Sequence, residues 1–228
     1  MPDAHARAHR LSLTLAVVLT VGSGAMDAIG FSRLGDVFTS VMTGNLVLLG
    51  LSAGSGSAAI AERIAIALVA FTVGVLAAGR ITAPHLGDGV LWPRGVTRAL
   101  TVQLVVLAAF VAGWQLQGGK PEEGAARNVL LALAALAMGL QSGAVVAIGV
   151  PGLSTTYVTG TLTGVLTTVA NSRQLRWDSA AILAALVVGA TFAGLMVVHA
   201  PRLAPLLPFL ALTTVVLVAW RSPVFTRR

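Results

Sequence analysis

The stretch VFTSVMTGNLVLL, Val37 to Leu49, decides how many times this chain crosses a membrane. It contains no Asp, Glu, Lys or Arg, yet it has only 13 residues and carries a Gly-Asn pair in its middle. As a helix it would extend roughly 20 Å, which is short of the roughly 30 Å hydrocarbon core of a bilayer. We therefore predict a short broken or re-entrant helix here rather than a full span.

The composition around this stretch is that of an integral membrane protein. Of 228 residues, 56% are hydrophobic and 10% are charged, and the mean hydropathy is +0.89. Soluble proteins have about 25% charged residues. The formal charge of +7 comes from basic residues between or beside the apolar runs, so it indicates membrane topology and not a nucleic-acid partner. The absence of cysteine excludes disulfides and thiolate metal sites.

The N-terminal apolar run follows Arg7 and Arg10 and ends in small residues, as a secretory signal does. We predict that it is the first membrane span, because a motif at its end recurs later in the chain. The expected location is the inner (plasma) membrane of a bacterium, as a multi-pass protein with a cytoplasmic N-terminus.

Three landmarks recur at an offset of 115 or 116 residues. They are GAMDA (Gly24–Ala28) with GLQSG (Gly139–Gly143), Thr43-Gly44 with Thr159-Gly160, and VGVLAAG (Val73–Gly79) with VGATFAG (Val188–Gly194). Three matches in one order favour an internal duplication. We predict a single integral membrane domain, 1–228, made of two homologous repeats at about 11–117 and about 126–221.

Each repeat is predicted to contain a long helix, a Gly/Thr-rich segment and two further long helices. The predicted segments are Leu11 to Phe31, Val37 to Leu51, Ala59 to Ile81, Val96 to Leu116, Ala126 to Ala147, Ser154 to Val169, Ser179 to His199 and Leu203 to Trp220. If the Gly/Thr-rich segments are re-entrant, the all-α fold has six transmembrane helices and inverted repeats. The alternative is eight spans in parallel repeats. The Lys/Arg distribution does not discriminate, and the short Val37 segment favours six.

The Gly/Thr-rich segments are the candidate binding site. Gly44 and Gly160 would permit a helix break, while Thr43, Asn45, Thr159 and Thr161 could bind the freed backbone or a solute. Interrupted apolar segments at matching places in two halves point to the binding site of a transporter. The alternative is close helix packing, since Gly160 and Gly164 form a GxxxG motif.

Five further polar residues could belong to the same site. Asp27 is an acid inside a predicted span, where a carboxylate is costly and often functional. Gln141 and Ser142 occupy the matching place in the second repeat, so charge at the site would be asymmetric. Tyr157 precedes the second motif, and Gln103 could cap freed backbone or line a cavity.

Enzyme signatures are weak. GLQSG resembles the Gly-x-Ser-Gly of intramembrane serine proteases but has one residue too many, and nothing places His199 beside Ser142 as a base. No H-E-x-x-H, Walker A loop or dinucleotide fingerprint occurs. We expect a protein that is not an enzyme, with no catalytic residues, metal or cofactor.

The paired motifs carry a family resemblance. The segments GAMDAIGFSRLGDVFTSVMTGNLVLLG and AMGLQSGAVVAIGVPGLSTTYVTGTLTGVL resemble the YoaK family of bacterial inner-membrane proteins over about Leu11 to Trp220. The resemblance implies a polytopic inner-membrane protein. It implies no substrate, because the family is a domain of unknown function.

Two functions remain open from the sequence. The first is a transporter or channel for a small solute or ion, with a polar site between the Thr-Gly breaks. The second is a non-catalytic membrane interaction or regulatory protein whose Gly/Thr motifs are helix-packing seams. The expected partners are membrane lipid and an unknown solute. The sequence does not indicate the oligomeric state.

Overall fold

A computed structural model describes residues 2–85, 92–148, 158–172 and 177–222, which fold into eight α-helices with no strand among them. The helices are α1 (Pro2–Arg33), α2 (Met42–Ser55), α3 (Ala58–Thr82), α4 (Arg94–Leu116), α5 (Ala125–Val146), α6 (Val158–Ser172), α7 (Trp177–His199) and α8 (Leu206–Arg221). Short 3-10 turns follow α3 and precede α8. The expected all-α class is confirmed.

Within the described ranges, six helical stretches are long and apolar enough to cross a bilayer. They are Ala6–Arg33 of α1, then α3, α4, α5 and α7, and finally Pro201–Arg221, which contains α8. Helices α2 and α6 have 14 and 15 residues, so each extends only about 22 Å. The prediction of six span-length helices with two short ones is confirmed.

The predicted helix break at Gly44 is wrong. Helix α2 begins at Met42 and continues through Gly44 without interruption, and α6 is likewise helical at Gly160. The irregular backbone lies before α2 instead. Asn45, which looked like part of the break, exchanges two hydrogen bonds with the backbone of Phe38 and so fixes the chain that leads into the helix.

Between α1 and α2 the chain turns back along α1, and we call residues 34–41 the returning segment. Gly35 and Asp36 make the turn with φ of 106° and 60°, a region that suits glycine and that Asp tolerates better than most residues. The backbone then passes Gly30, where an added Cβ would lie 2.6 Å from Cγ2 of Thr39. Glycine at position 30 therefore lets the returning segment lie directly against α1.

Helices α1 and α5 form the centre of the bundle. The most apolar window of α1 is 67% buried and that of α5 is 61% buried, against 22% to 39% for the other four span-length helices. The outer helices expose large apolar side chains such as Val69, Val105 and Phe192. Such a surface suits contact with lipid, and it leaves α1 and α5 as the helices best placed to hold polar groups away from lipid.

Glycines bring α1 very close to α7. An added Cβ at Gly24 of α1 would lie 2.1 Å from the carbonyl oxygen of Leu186, and one at Gly189 of α7 would lie 2.0 Å from that of Val21. Both distances are far inside van der Waals contact. Only glycine fits at either position while the helices keep this separation.

Helices α3 and α5 meet in the same way. An added Cβ at Gly139 of α5 would lie 2.1 Å from the carbonyl oxygen of Phe71, and one at Gly74 of α3 would lie 2.4 Å from that of Leu136. Each of these four residues lies 115 positions from its counterpart in the α1–α7 contact. We call Gly24, Gly74, Gly139 and Gly189 the packing glycines.

Candidate functional site

A cavity of about 770 Å³ lies among the central helices and their neighbours. Its lining comes from α1, the returning segment, α2, α3, α5, α6 and α7. The lining residues are Asp27, Ser40, Val41, Met42, Thr43, Phe71, Ser142, Thr159, Leu162, Leu183, Leu186 and Val187. The volume falls within the roughly 300–1,000 Å³ range of small-molecule sites.

Asp27 joins the returning segment to α1. Its side chain is buried, and Oδ1 accepts hydrogen bonds from the backbone N–H groups of Thr39 (2.8 Å) and Ser40 (2.7 Å) and from the Thr39 hydroxyl (3.0 Å). The Ser40 hydroxyl donates to Oδ2. All four donors are neutral, so they satisfy the carboxylate without cancelling a negative charge.

The first turn of α2 separates the residues of the Thr-Gly-Asn motif. Thr43 is exposed and lines the cavity. Asn45 is fully buried; its Oδ1 accepts from the Phe38 N–H at 3.0 Å and its Nδ2 donates to the Phe38 carbonyl at 2.7 Å. An added Cβ at Gly44 would be near Val41 and Phe38 of the same segment. Asn45 therefore positions α2 and is not among the lining residues.

Gln141 is engaged away from the cavity, although its neighbour Ser142 lines it. Gln103 of α4 donates from Nε2 to Oε1 of Gln141 at 3.0 Å, and Gln141 donates from Nε2 to the Ser23 hydroxyl at 2.8 Å. These bonds connect α4, α5 and α1 in the protein core. Gln103 thus neither caps freed backbone nor lines the large cavity.

The residues of the second motif, Thr-Gly-Thr, also differ in their surroundings. Thr159 lines the cavity, whereas Thr161 is buried at 7% exposure and is not among the lining residues. Gly160 lies between them on α6, and Tyr157 lies outside the described residues. An added Cβ at Gly164 would meet no atom within 4 Å, so this glycine does not form a tight contact with any of the described helices.

The structure thus brings four predicted site residues to one cavity: Asp27, Thr43, Ser142 and Thr159. Sequence reasoning missed Ser40 and the apolar wall. The hydroxyls of Thr39 and Ser40, separated from Met-Thr-Gly-Asn only by Val41, were a usable signal. The wall residues gave none, because every membrane span contains such side chains. They are Phe71, Leu162, Leu183, Leu186 and Val187.

The chemistry of the lining is simple. It offers one carboxylate, four hydroxyls and seven apolar side chains, with no Lys, Arg or His among the described lining residues. The described residues also contain no group of three or more His, Cys, Asp or Glu placed to hold a metal ion. Such a cavity can hold a molecule that is partly polar and partly apolar.

Similarity to known proteins shows the family of the chain. The model of a family of proteins of unknown function, DUF1275, matches residues 15–219. The chain belongs to the DUF1275 family. The resemblance predicted from the two Thr-Gly motifs is therefore confirmed. The match covers α2 to α7 entirely, α1 from residue 15 onward and all of α8 except its last two residues.

A relative supports the same assignment for this DUF1275 chain. The UPF0700 transmembrane protein YoaK of Bacillus subtilis (strain 168) is 35% identical over 153 residues, which cover 67% of this chain. The match spans 65% of the Bacillus protein, slightly less than two thirds of its length. No solved structure matches the chain. The DUF1275 family brings no known substrate, so the function must be inferred from the cavity.

Proposed function

We propose that the chain is a transporter or channel for a small solute, which binds in the cavity between the central helices. The observation that carries this proposal is the position in the sequence of the residues that line the cavity. Asp27 and Ser142 are 115 residues apart, Thr43 and Thr159 are 116 apart, and Phe71 lies 115 residues before Leu186. Corresponding positions in both halves of the chain therefore line one cavity.

We further propose that the two halves are homologous and inverted in the membrane. The matching contacts of the packing glycines, offset by 115 residues, support common ancestry. Three span-length helices lie in each half. An odd number of crossings would start the second half on the opposite side from the first, which inverts it.

The short helices support a transport site. Met42 and Thr43 at the start of α2, and Thr159 and Leu162 near the start of α6, all line the cavity. Short or interrupted apolar segments at matching places are a feature of transporter binding sites. In this proposal, alternating access would tilt one half against the other and expose the cavity to each side in turn.

The proposed location is the inner (plasma) membrane of a bacterium with the N-terminus in the cytoplasm. With six crossings, ten Lys and Arg residues lie on the side of the N-terminus and five lie on the other. Cytoplasmic loops are enriched in these residues. Lipid would contact the apolar side chains that the outer helices expose.

A packing role explains the Thr-Gly motifs less well. Among the described glycines, the closest helix contacts occur at the packing glycines, which lie outside those motifs. An added Cβ would meet open space at Gly164, while Thr43 and Thr159 are exposed toward the cavity. We therefore favour a role in solute binding over a role as an interaction protein whose Thr-Gly motifs pack helices together.

Reconstitution tests the proposal. Purified protein in liposomes is assayed for flux of radiolabelled inorganic ions, amino acids, sugars and organic cations and anions. Thr43→Val and Thr159→Val keep the side-chain shape but remove a hydroxyl, so we expect flux to fall roughly two- to tenfold. Thr163→Val, on the exposed side of α6 outside the lining, is the matched control and should leave flux unchanged.

No flux and no ligand-dependent thermal stabilisation across the whole panel would reject a transport function. Equal losses in Thr159→Val and Thr163→Val would show that the effect comes from α6 stability and not from the lining.

A further inference from the structure

We propose that the solute of this cavity is an organic cation, a molecule with one positively charged nitrogen on an apolar body. This inference rests on the proposed function, because it names the class of solute for the same site. It is carried by the charge of the lining, the size of the cavity and the composition of its wall.

The lining holds one acidic side chain and no basic one among its described residues. Asp27 is the only charged residue among the described lining residues, and its hydrogen-bond donors are all neutral. Among the described residues, the ion pairs join Arg63 and Arg127 to Glu123, and neither involves Asp27. A buried charge is costly unless it is paired. A cationic ligand would supply the counterion that none of the described residues provides.

Asp27 also has capacity for a further contact. Oδ1 accepts three hydrogen bonds, whereas Oδ2 accepts one, from the Ser40 hydroxyl. An ionised carboxylate offers about four lone-pair sites, two on each oxygen. Since Asp27 is part of the cavity lining, Oδ2 is the atom that would face an ammonium group.

The start of α2 at the cavity does not reverse this preference. The N-terminus of a helix carries roughly half a positive charge and attracts anions. Immediately before α2, however, the N–H groups of Thr39 and Ser40 already bind the Asp27 carboxylate. The Asp27 carboxyl therefore already occupies the start of α2, and in its ionised form its full negative charge outweighs the partial positive charge of that helix end.

The volume of the cavity and the composition of its wall favour an occupant larger than a bare ion. A volume of about 770 Å³ is suited to a molecule of many atoms. Its wall includes Phe71, Leu183 and Leu186. Aliphatic side chains favour an apolar body, and an aromatic ring can also attract an ammonium group. The acid and the apolar wall together describe an amphiphilic cation.

The test uses three molecules of nearly equal shape and different charge. They are 3-hydroxyphenyltrimethylammonium (cation), 3-tert-butylphenol (neutral) and 3-hydroxybenzenesulfonate (anion). Binding to the purified full-length chain in dodecyl maltoside is measured by microscale thermophoresis, with protein-free micelles as the blank. We expect the cation to bind at least about tenfold more tightly than the neutral compound, and the anion to bind weakest.

Asp27→Asn is the matched variant. The Asn oxygen can accept the three bonds made to Oδ1, and its NH₂ can donate to the Ser40 hydroxyl, so the returning segment keeps its anchor. We expect the preference for the cation to vanish while the affinity for 3-tert-butylphenol stays the same. Equal affinities for cation and neutral compound in the wild type would overturn the proposal, with no variant needed.

Flux separates this inference from the proposed function. If the wild type transports neutral or anionic solutes and binds no cation, the organic-cation assignment is overturned and transport stands. If it binds the cation with the predicted dependence on Asp27 but transports nothing, the cation site stands and the transport function is rejected.

Discussion

Among the described residues, two consecutive ones donate every hydrogen bond that Asp27 accepts, so one carboxylate holds a whole segment of chain in place. Thr39 and Ser40 each contribute a backbone N–H and a hydroxyl. Water is scarce inside a membrane protein, and an N–H without a partner there is costly. Asp27 therefore serves structure and site at once: it satisfies the returning segment and contributes charge to the cavity.

Replacing Asp27 with alanine should destabilise the fold. Two backbone N–H groups and two hydroxyls would lose their acceptor, and we expect a loss of about 2–4 kcal/mol in the free energy of unfolding. Asp27→Asn should keep most of the stability. Tryptophan-monitored thermal unfolding in detergent measures the difference. Equal destabilisation by Ala and Asn would contradict the anchoring role.

The glutamine pair in the core should show coupling. Gln103→Leu or Gln141→Leu alone leaves a buried partner without its hydrogen bond, which costs about 1–3 kcal/mol. The double variant removes both partners, so its cost should be less than the sum of the two single costs. Chemical unfolding of the four proteins measures the cycle. Strictly additive costs would mean that the hydrogen bond contributes little to stability.

The sequence could indicate Asp27 but not its partners. An acid in an apolar run is conspicuous, whereas the contact with Thr39 and Ser40 depends on a turn at Gly35 that reverses the chain. Gln141 was placed in the candidate site because it adjoins Ser142. The two residues face different surroundings, since adjacent residues on a helix point in directions about 100° apart.

At the scale of helices, the burial of apolar residues determines which stretches form helices. Hydrogen bonds determine the residue at which a helix begins. Most span-length helices match their predicted ranges closely; α5, expected at Ala126 to Ala147, occupies Ala125–Val146. Helix α1 is longer than expected, since it begins at Pro2 and not at Leu11. Helix α2 was expected to begin at Val37 and begins at Met42. The intervening residues are as apolar as the helix itself, so composition could not reveal that they bind α1.

Glycines in a single helix should differ sharply in their tolerance of alanine. Gly74→Ala places a Cβ 2.4 Å from the Leu136 carbonyl oxygen, while at Gly79 of the same helix a Cβ would meet nothing within 4 Å. We expect Gly74→Ala to lower the yield of monodisperse protein severely. Gly79→Ala should be neutral or stabilise α3 by up to about 1 kcal/mol.

The same comparison in α7 provides a replicate, with Gly189→Ala as the disruptive change and Gly194→Ala as its control. Size-exclusion chromatography and thermal unfolding report both pairs. Good tolerance of Gly74→Ala and Gly189→Ala together would show that the helices can move apart without loss of the fold.

At the scale of the whole molecule, the number of crossings determines how the halves are related. Six crossings place the α2–α3 connection on the side opposite the N-terminus, whereas eight crossings place it on the same side. The sequence supplied the recurring glycines and the span-length segments. It could not show that α1 contacts α7 and α3 contacts α5, because helix pairing depends on tertiary packing that an apolar pattern does not encode.

Cysteine labelling in intact cells checks the topology, since the natural chain contains no cysteine. With six crossings, we expect Ser55→Cys and Glu122→Cys, both at exposed positions, to react with a membrane-impermeant thiol reagent and Pro84→Cys to be protected. With eight crossings the pattern reverses. Labelling after cell disruption is the control that each cysteine can react.

The packing glycines also affect the order in which helix contacts form during biosynthesis. Gly24 emerges early, yet its partner Gly189 follows 165 residues later. At roughly 5–20 residues per second, α1 would wait on the order of 10 to 30 seconds for α7. Throughout that interval the side of α1 that carries Gly24 would be open to lipid or to an insertion chaperone. Slow or interrupted translation should therefore leave the nascent chain vulnerable to membrane proteases.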